Sequence, residues 1–424
     1  MKLLFCVGLG LLVPGLYAQT VPAAPAPLTL AECRALALSQ NQRLTSARRK
    51  QQATEAAYRA AQTSRLPKLD FTSTGYFVRG VRGTPLQAQG ITGGLALNQP
   101  IYAGGRVRAQ IALSGLNTQV SAEDVRKTRQ ELIVETDQTY WQAVALREQV
   151  ALAAGNRAQL QALVRDLDNK YQAGIGYKAD LLRAQVQLRD AEVRLLRTRD
   201  EQRLSRLVLS QLIGRPAEDS LRLAESIEGD FAPVGPADYA QRALAQRPEL
   251  RQLALANQTD SLQIVLARSA RLPQIAGSVN ALYLQQKPSF LLPETSYTPA
   301  YAVVSLNLPL VHWRENRLLE SQRRYQAQAS QADLAEARQQ VALEISRDLL
   351  RLNQAARRVA LQRLSVEQAQ ENQRLNDNRF HAGLLALPDL LEAQTVTQQA
   401  AAALVDAKAE YRIAEAALVK ATGE

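Results

Sequence analysis

The chain has few residues able to do covalent chemistry. Its imidazoles are His312 and His381, and its thiols are Cys6 and Cys33. Nucleophilic catalysis needs a Ser or Cys held beside a base, and a metal centre needs His, Cys or carboxylates at fixed spacing. Neither pattern occurs, and no phosphate-cradling loop is present. Gly93-Gly94 and Gly104-Gly105 read as strand and barrel-corner glycines instead. The notable polar residues are acids at matching places. Asp180 stands six residues after Gly174, Asp389 stands six after Gly383, and Glu392 follows Asp389 by one helical turn. Repeated around a symmetry axis, such carboxylates make rings of negative charge that admit cations. Acids in the first turn of a helix are also favoured by the macrodipole, with Pro388 suited to the first position. Both readings stand on the residues alone.

These acids recur because the chain repeats itself. Tyr171-Gln172-Ala173-Gly174 returns as Phe380-His381-Ala382-Gly383, Asp180-Leu181-Leu182 as Asp389-Leu390-Leu391, and Asn98-Gln99-Pro100 as Asn307-Leu308-Pro309, all at an offset of 209. Upstream, Arg65-Leu66-Pro67 returns as Arg271-Leu272-Pro273 at an offset of 206. A unit of about 200 residues is far longer than a solenoid repeat and indicates duplication of a whole helix–hairpin–helix module.

The boundaries follow from local signals. Residues 1–18 have the charge, apolar run and small-residue end of a secretory signal peptide, and 19–28 form a Pro/Ala leader. The first repeat covers 29–214. Its helix over 28–64 opens with a capping box at Thr29 and Glu32, and its strand pair covers 69–101. A 67-residue helix over 104–170 follows, and a shorter one runs to Leu212. A linker over 215–235 leads to the second repeat, 236–424, which has a helix over 237–270, a strand pair over 275–310 and further helices over 314–379 and 389–421. The 67-residue helix would span about 100 Å at 1.5 Å per residue. Two shorter helices stacked end to end would flank it.

The strand segments alternate as membrane strands do. Leu69, Phe71, Ser73, Gly75 and Phe77 share one face, while Asp70, Thr72, Thr74 and Tyr76 share the other. Nine of the 21 aromatic residues (Phe71, Tyr76, Phe77, Tyr102, Tyr283, Phe290, Tyr297, Tyr301 and Trp313) fall in 69–102 and 275–313, as interfacial girdles require. Past the signal, no stretch approaches the length of a membrane-spanning helix. The net charge of +11 comes from 51 basic and 40 acidic residues dispersed along helical stretches, so no nucleic-acid partner is expected. Four strands cannot close in lipid, where every backbone group needs a partner. Two copies would supply eight strands around a filled interior, and three would supply twelve around a lumen. A homotrimer in contact with outer membrane lipid is expected.

Taken in order, these motifs resemble the outer membrane efflux protein family, the TolC-like channels of Gram-negative bacteria. The resemblance rests on Leu28-Thr29-Leu30-Ala31-Glu32 with Ala37-Leu38 and Asn41, on Arg-Leu-Pro before each hairpin, on Asn-x-Pro in each second strand, and on Ala-Gly followed by Asp-Leu-Leu in each half. Asn41-Gln42 departs from the family's Asn-Pro, whereas the second repeat carries Pro248. The resemblance implies a trimeric 12-stranded outer membrane β-barrel continuous with a 12-helix periplasmic α-barrel. It also implies a role as exit duct of a tripartite efflux pump or type I secretion system, joined to a periplasmic membrane-fusion adaptor and an inner-membrane transporter. Asp180 and Asp389 match the family's constriction acids at the periplasmic tip, and Glu392, one helical turn on, would join Asp389 in the ring. Their neighbours Tyr171, Lys178, Arg183 and Arg379 are expected to tie the closed tip together. Ala173, Gly174 and Ile175, with Ala382, Gly383 and Leu384, resemble the segments that adaptors engage. No cofactor, metal or enzymatic activity is expected. The competing expectation is a periplasmic coiled coil without a pore, which has no use for the alternating strands.

Overall fold

The computed structural model describes residues 27–79, 87–216, 221–235, 238–286 and 295–423. The expected signal peptide, nearly all of the leader and Phe290 lie outside the described residues. The first repeat runs α1 (Leu30–Gln40), α2 (Gln42–Thr63), β1 (Lys68–Arg79), β2 (Gln87–Tyr102), α3 (Arg106–Gln172) and α4 (Lys178–Leu212). The second runs α5 (Tyr239–Gln246), α6 (Pro248–Ser269), β3 (Gln274–Gln286), β4 (Thr295–Tyr297), β5 (Ala300–Asn307), α7 (Glu315–His381) and α8 (Leu387–Thr422). Both α3 and α7 contain 67 residues, and α7 starts and ends 209 residues after α3.

Each opening helix, expected to be continuous, is broken once. Thr29 and Glu32 form the capping box of α1. Asn41 then leaves the helical region (φ −67°, ψ 130°). Its Oδ1 accepts from Arg43 N at 2.8 Å and its Nδ2 donates to the Leu212 carbonyl at 2.9 Å. One side chain thereby caps α2 and satisfies the end of α4. In the second repeat Pro248 performs the break, because a residue before proline is pushed out of the helical region. Arg247 is extended there, and its Nε donates to the Ala421 carbonyl at 2.6 Å. The carboxyl ends of α4 and α8 therefore seat against the α1/α2 and α5/α6 breaks. The long α3 packs against α2 and α4 and against α6 and α8, and α7 lies against α6 and α8.

The segment between the repeats is part of the core. Leu221 and Ile227 are buried with Cys33, Ala37 and Leu44, with Leu132, Tyr140 and Val144 of α3, and with Leu209 and Ile213. The Tyr140 hydroxyl donates to the Leu28 carbonyl, while Arg147 donates to the Leu223 and Glu225 carbonyls at 2.9 and 2.7 Å. Arg34 grips Asp137 through two 2.6 Å bonds. Burial pushes the free Cys33 thiol up to about 12, which leaves it unreactive at neutral pH.

The sheet is antiparallel in the order β1-β2-β3, with β4 and β5 both on the far edge of β3 as one interrupted strand. β4 is a short separate strand within the expected strand pair over 275–310. Register separates the faces cleanly. Leu69, Leu97, Val279 and Ala302 form one cross-strand row, and Phe71, Leu95, Ala281 and Ala300 the next. The other face carries Asp70, Ala96, Asn280 and Tyr301, then Lys68, Asn98, Ser278 and Val303. Among the described residues, the outer edges of β1 and β5 have no strand partner.

Strand and helix join through a pair of left-handed residues in each repeat. Gly104 and Gly105 have φ of 58° and 85°, and the residues 209 further on, Trp313 and Arg314, have 40° and 69°. A Cβ on Gly104 would meet Leu272 Cβ at 2.8 Å. Trp313 has no such crowding and is almost wholly exposed.

Candidate functional site

Two helical turns, at 173–177 and 382–386, form one end of the molecule. Helix α3 ends with Gly174 N donating to Tyr171 O and Ile175 N to Lys170 O, both at 3.0 Å. Helix α7 ends identically, with Gly383 N on Phe380 O at 3.0 Å and Leu384 N on Arg379 O at 2.9 Å. Both glycines have φ of +75° and open space where a Cβ would lie, so conformation alone demands glycine. The residue after each glycine is apolar and protrudes: Ile175 is 78% exposed and Leu384 79%. Ala173 and Ala382 sit in the same exposed turns.

The acids stand on the helices that leave these turns. Asp180 lies in the first turn of α4 and Asp389 in that of α8, with Pro388 one place later than expected because α8 starts at Leu387. Neither helix has a side-chain cap. Asp389 and Glu392 are exposed and Asp180 is partly so. Within the single chain, Tyr171, Lys178, Arg183 and Arg379 do not reach these acids. All four side chains are exposed around the tip.

The structure adds a contact between the repeats that no local signal marks. Leu387 and Leu391 of α8 pack with Leu160, Leu167, Leu181 and Leu188 of the first repeat, and Leu163 and Phe380 lie against them. Lys170 Nζ sits over the Phe380 ring, 5.5 Å from its centroid, and pairs with Asp166 at 2.8 Å. Lys170 and Phe380 are adjacent only because two helical hairpins meet side by side. An open polar groove runs over α8 between α3 and α7, lined by Gln159, Asp166, Arg374, Asp377 and Gln394. Arg374 hydrogen-bonds Glu371 at 2.8 and 2.7 Å, which holds that carboxyl below its usual range. His381 Nε2 lies 3.7 Å from Asp377.

Among the described residues the geometry is thus a two-faced sheet with unpaired outer edges, joined to long paired helices that end in two turns presenting acids. Comparison with known proteins agrees with it. The outer membrane efflux protein family profile matches residues 34–215 and 239–424. The alkaline protease secretion protein AprF of Pseudomonas aeruginosa is 25% identical over 76% of this chain and 68% of its own length. The outer membrane efflux protein BepC of Brucella suis is 23% identical over 78% of this chain and 72% of its own. The open-state structure of the Neisseria gonorrhoeae MtrE outer membrane channel superposes with a TM-score of 0.79, at 20% identity, over 93% of this chain and 88% of that one. The chain belongs to the outer membrane efflux protein family, and its place is the outer membrane.

Proposed function

We propose that this protein is a homotrimeric exit duct, through which cargo delivered by an inner-membrane transporter and a periplasmic adaptor leaves the cell. The observation that carries the proposal is the sheet. One face is largely apolar and the other bears hydroxyls and amides, yet among the described residues both edges lack a strand partner. Lipid does not tolerate unpaired edges, and three copies would close twelve strands around a polar bore. A periplasmic coiled coil without a pore leaves this two-faced sheet unused. The flanks of the helices support the same assembly. Leu196 and Leu204 of α4 and Leu343, Leu350 and Leu361 of α7 are all largely exposed in one chain.

In this reading Asp389 and Glu392 ring the entrance, with Asp180 beside them, and three copies concentrate enough negative charge to favour cations. Tyr171, Lys178, Arg183 and Arg379 find their partners across chains. The protruding turns 173–175 and 382–384 are the adaptor's contact. AprF is named for protease secretion and BepC for efflux, so both cargo classes are open to this chain. Single-channel recording in a planar bilayer tests the reading. The wild type is expected to show discrete, cation-preferring openings, and Asp389→Ala with Glu392→Ala to lose most of that preference. Unchanged selectivity would return these acids to helix stabilisation, and a protein that never inserts would overturn the duct.

A further inference from the structure

The two repeats join helix to sheet with different chemistry. In the second, Glu320 of α7 gathers Arg268, Arg271 and Arg324. The residue 209 places before Glu320 is Ile111, whereas Arg65 keeps the place of Arg271 at the offset of 206. Gln62 and Gly115 stand at the places of Arg268 and Arg324, and Arg108 is the counterpart of Arg317. The first repeat thus carries two guanidinium groups without the carboxylate. No acid occurs between Ala56 and Leu69, between Gln99 and Ala122, or between Ser261 and Gln286, the stretches that meet at this junction.

Arg65 and Arg108 line one groove with Gln99, Ile101, Val107 and Ile111. Its volume of about 730 Å³ suits a small ligand or a headgroup. Gln99 Nε2 donates to the Arg65 carbonyl at 3.0 Å, which fixes the backbone of Arg65 beside β2. Both arginines are exposed, and neither forms an ion pair among the described residues.

The position of the groove selects its occupant. Leu95, Leu97, Gln99 and Ile101 alternate along β2, so the groove continues the apolar face of the sheet. A Cβ on Gly277 would touch Ile101 Cδ1 at 3.4 Å, and Val304 is the cross-strand partner of Gly277. At the matching place of the second repeat, Leu310 and Trp313 are almost wholly exposed, as residues at a membrane interface are. In the duct reading, on which this inference rests, the apolar face meets acyl chains and the helices stand in the periplasm. The groove then lies where acyl chains give way to the headgroups of the periplasm-facing leaflet. A guanidinium fork matches a phosphate through paired hydrogen bonds. A zwitterionic headgroup would also bring an ammonium, for which this junction offers no carboxylate. Free phosphate would leave the apolar wall of the groove uncovered. We propose that Arg65 and Arg108 bind the phosphate of a net-anionic phospholipid, which takes the place that the Glu320 carboxylate fills in the second repeat. Ile101, Val107 and Ile111 pack against its glycerol and upper acyl chain.

Native mass spectrometry of the full-length protein released from detergent tests this, with phosphatidylglycerol or phosphatidylethanolamine added at equal concentration. The wild type is expected to hold phosphatidylglycerol about tenfold more tightly, given two basic residues at one headgroup. Arg65→Gln with Arg108→Gln is expected to abolish that preference. Arg48→Gln with Arg323→Gln removes the same charge outside the groove and is expected to keep it. Ile111→Glu retains both arginines and copies Glu320, so it is expected to expel the lipid too. Helical content by circular dichroism accompanies each variant, and the exposed arginine pair carries the test should Ile111→Glu not fold. Equal binding of the two lipids by the wild type would overturn the proposal, as would a preference unmoved by the arginine pair. Displacement of phosphatidylglycerol by inorganic phosphate would make this a free-phosphate site and overturn the lipid. A wild type that inserts and conducts without lipid preference overturns this proposal alone, whereas one that never inserts overturns the duct reading with it.

Discussion

Glu320, near the start of α7, collects three guanidinium groups at the junction of helix and sheet. Arg268 Nε donates to it at 2.8 Å and Arg324 Nη2 at 2.6 Å, and Arg271 pairs with its second oxygen. The Glu320 side chain is buried while the arginines remain in contact with water. The Arg268 hydrogen bond, followed by Arg324 and Arg271, holds the carboxyl below its ordinary value of 4.5. A carboxyl depressed by folding adds stability at every pH above its unfolded value, and that contribution is lost as pH falls through the folded one. Glu320→Gln is therefore expected to be less stable than wild type at neutral pH and to converge with it below about pH 4.5, as thermal unfolding across pH would show. Equal stability at both ends of that range would make the cluster a surface decoration. Local reading does not reveal the cluster, since Arg268 and Arg271 precede Glu320 by 52 and 49 residues.

At the scale of elements, the breaks in the opening helices matter most. Asn41 is buried and makes two bonds of different kinds, one to its own helix and one to the end of α4. Asn41→Ala removes a cap and leaves the Leu212 carbonyl without its side-chain donor, so a loss of about 2 kcal/mol is expected in denaturant unfolding. A loss near zero would mean that water replaces the amide. The elements were legible wherever the signal is local. Period-two alternation marked the hairpins, the capping box marked α1, and the recurring Ala-Gly marked the turns. The breaks at Asn41 and Arg247 escaped because Ala- and Gln-rich sequence favours helix on both sides, and Asn41 acts through a carbonyl 171 residues away. The same applies to 215–235, read as a patternless linker. Its Leu221, Ile227 and Phe231 show no period, and each is buried by helices distant in sequence. At the tip, the acids and turns were readable from the repeat, whereas the Lys170–Phe380 contact needed the helices' lateral order.

At the scale of the whole molecule, the trimer proposed above needs one symmetry operation to satisfy two separate incompletenesses. The edges of β1 and β5 need strands, and the leucine faces of α4 and α7 need cover. A heterologous contact, edge to opposite edge, answers both at once and closes after a fixed number of copies. Leu350 and Leu361 separate this assembly from the fold of one chain. They are 70% and 65% exposed in the single chain, so replacing them barely changes its internal packing. Burying each leucine against a neighbour contributes roughly 2 kcal/mol, whereas burying an unpaired carboxylate there would be strongly unfavourable. Leu350→Asp with Leu361→Asp is accordingly expected to yield a protein of unchanged helical content that runs as a monomer by light scattering in detergent and gives no openings in a bilayer. A trimer that survives both substitutions would place the contact elsewhere on α7. Loss of helix together with the trimer would mean that the chain folds only as it assembles.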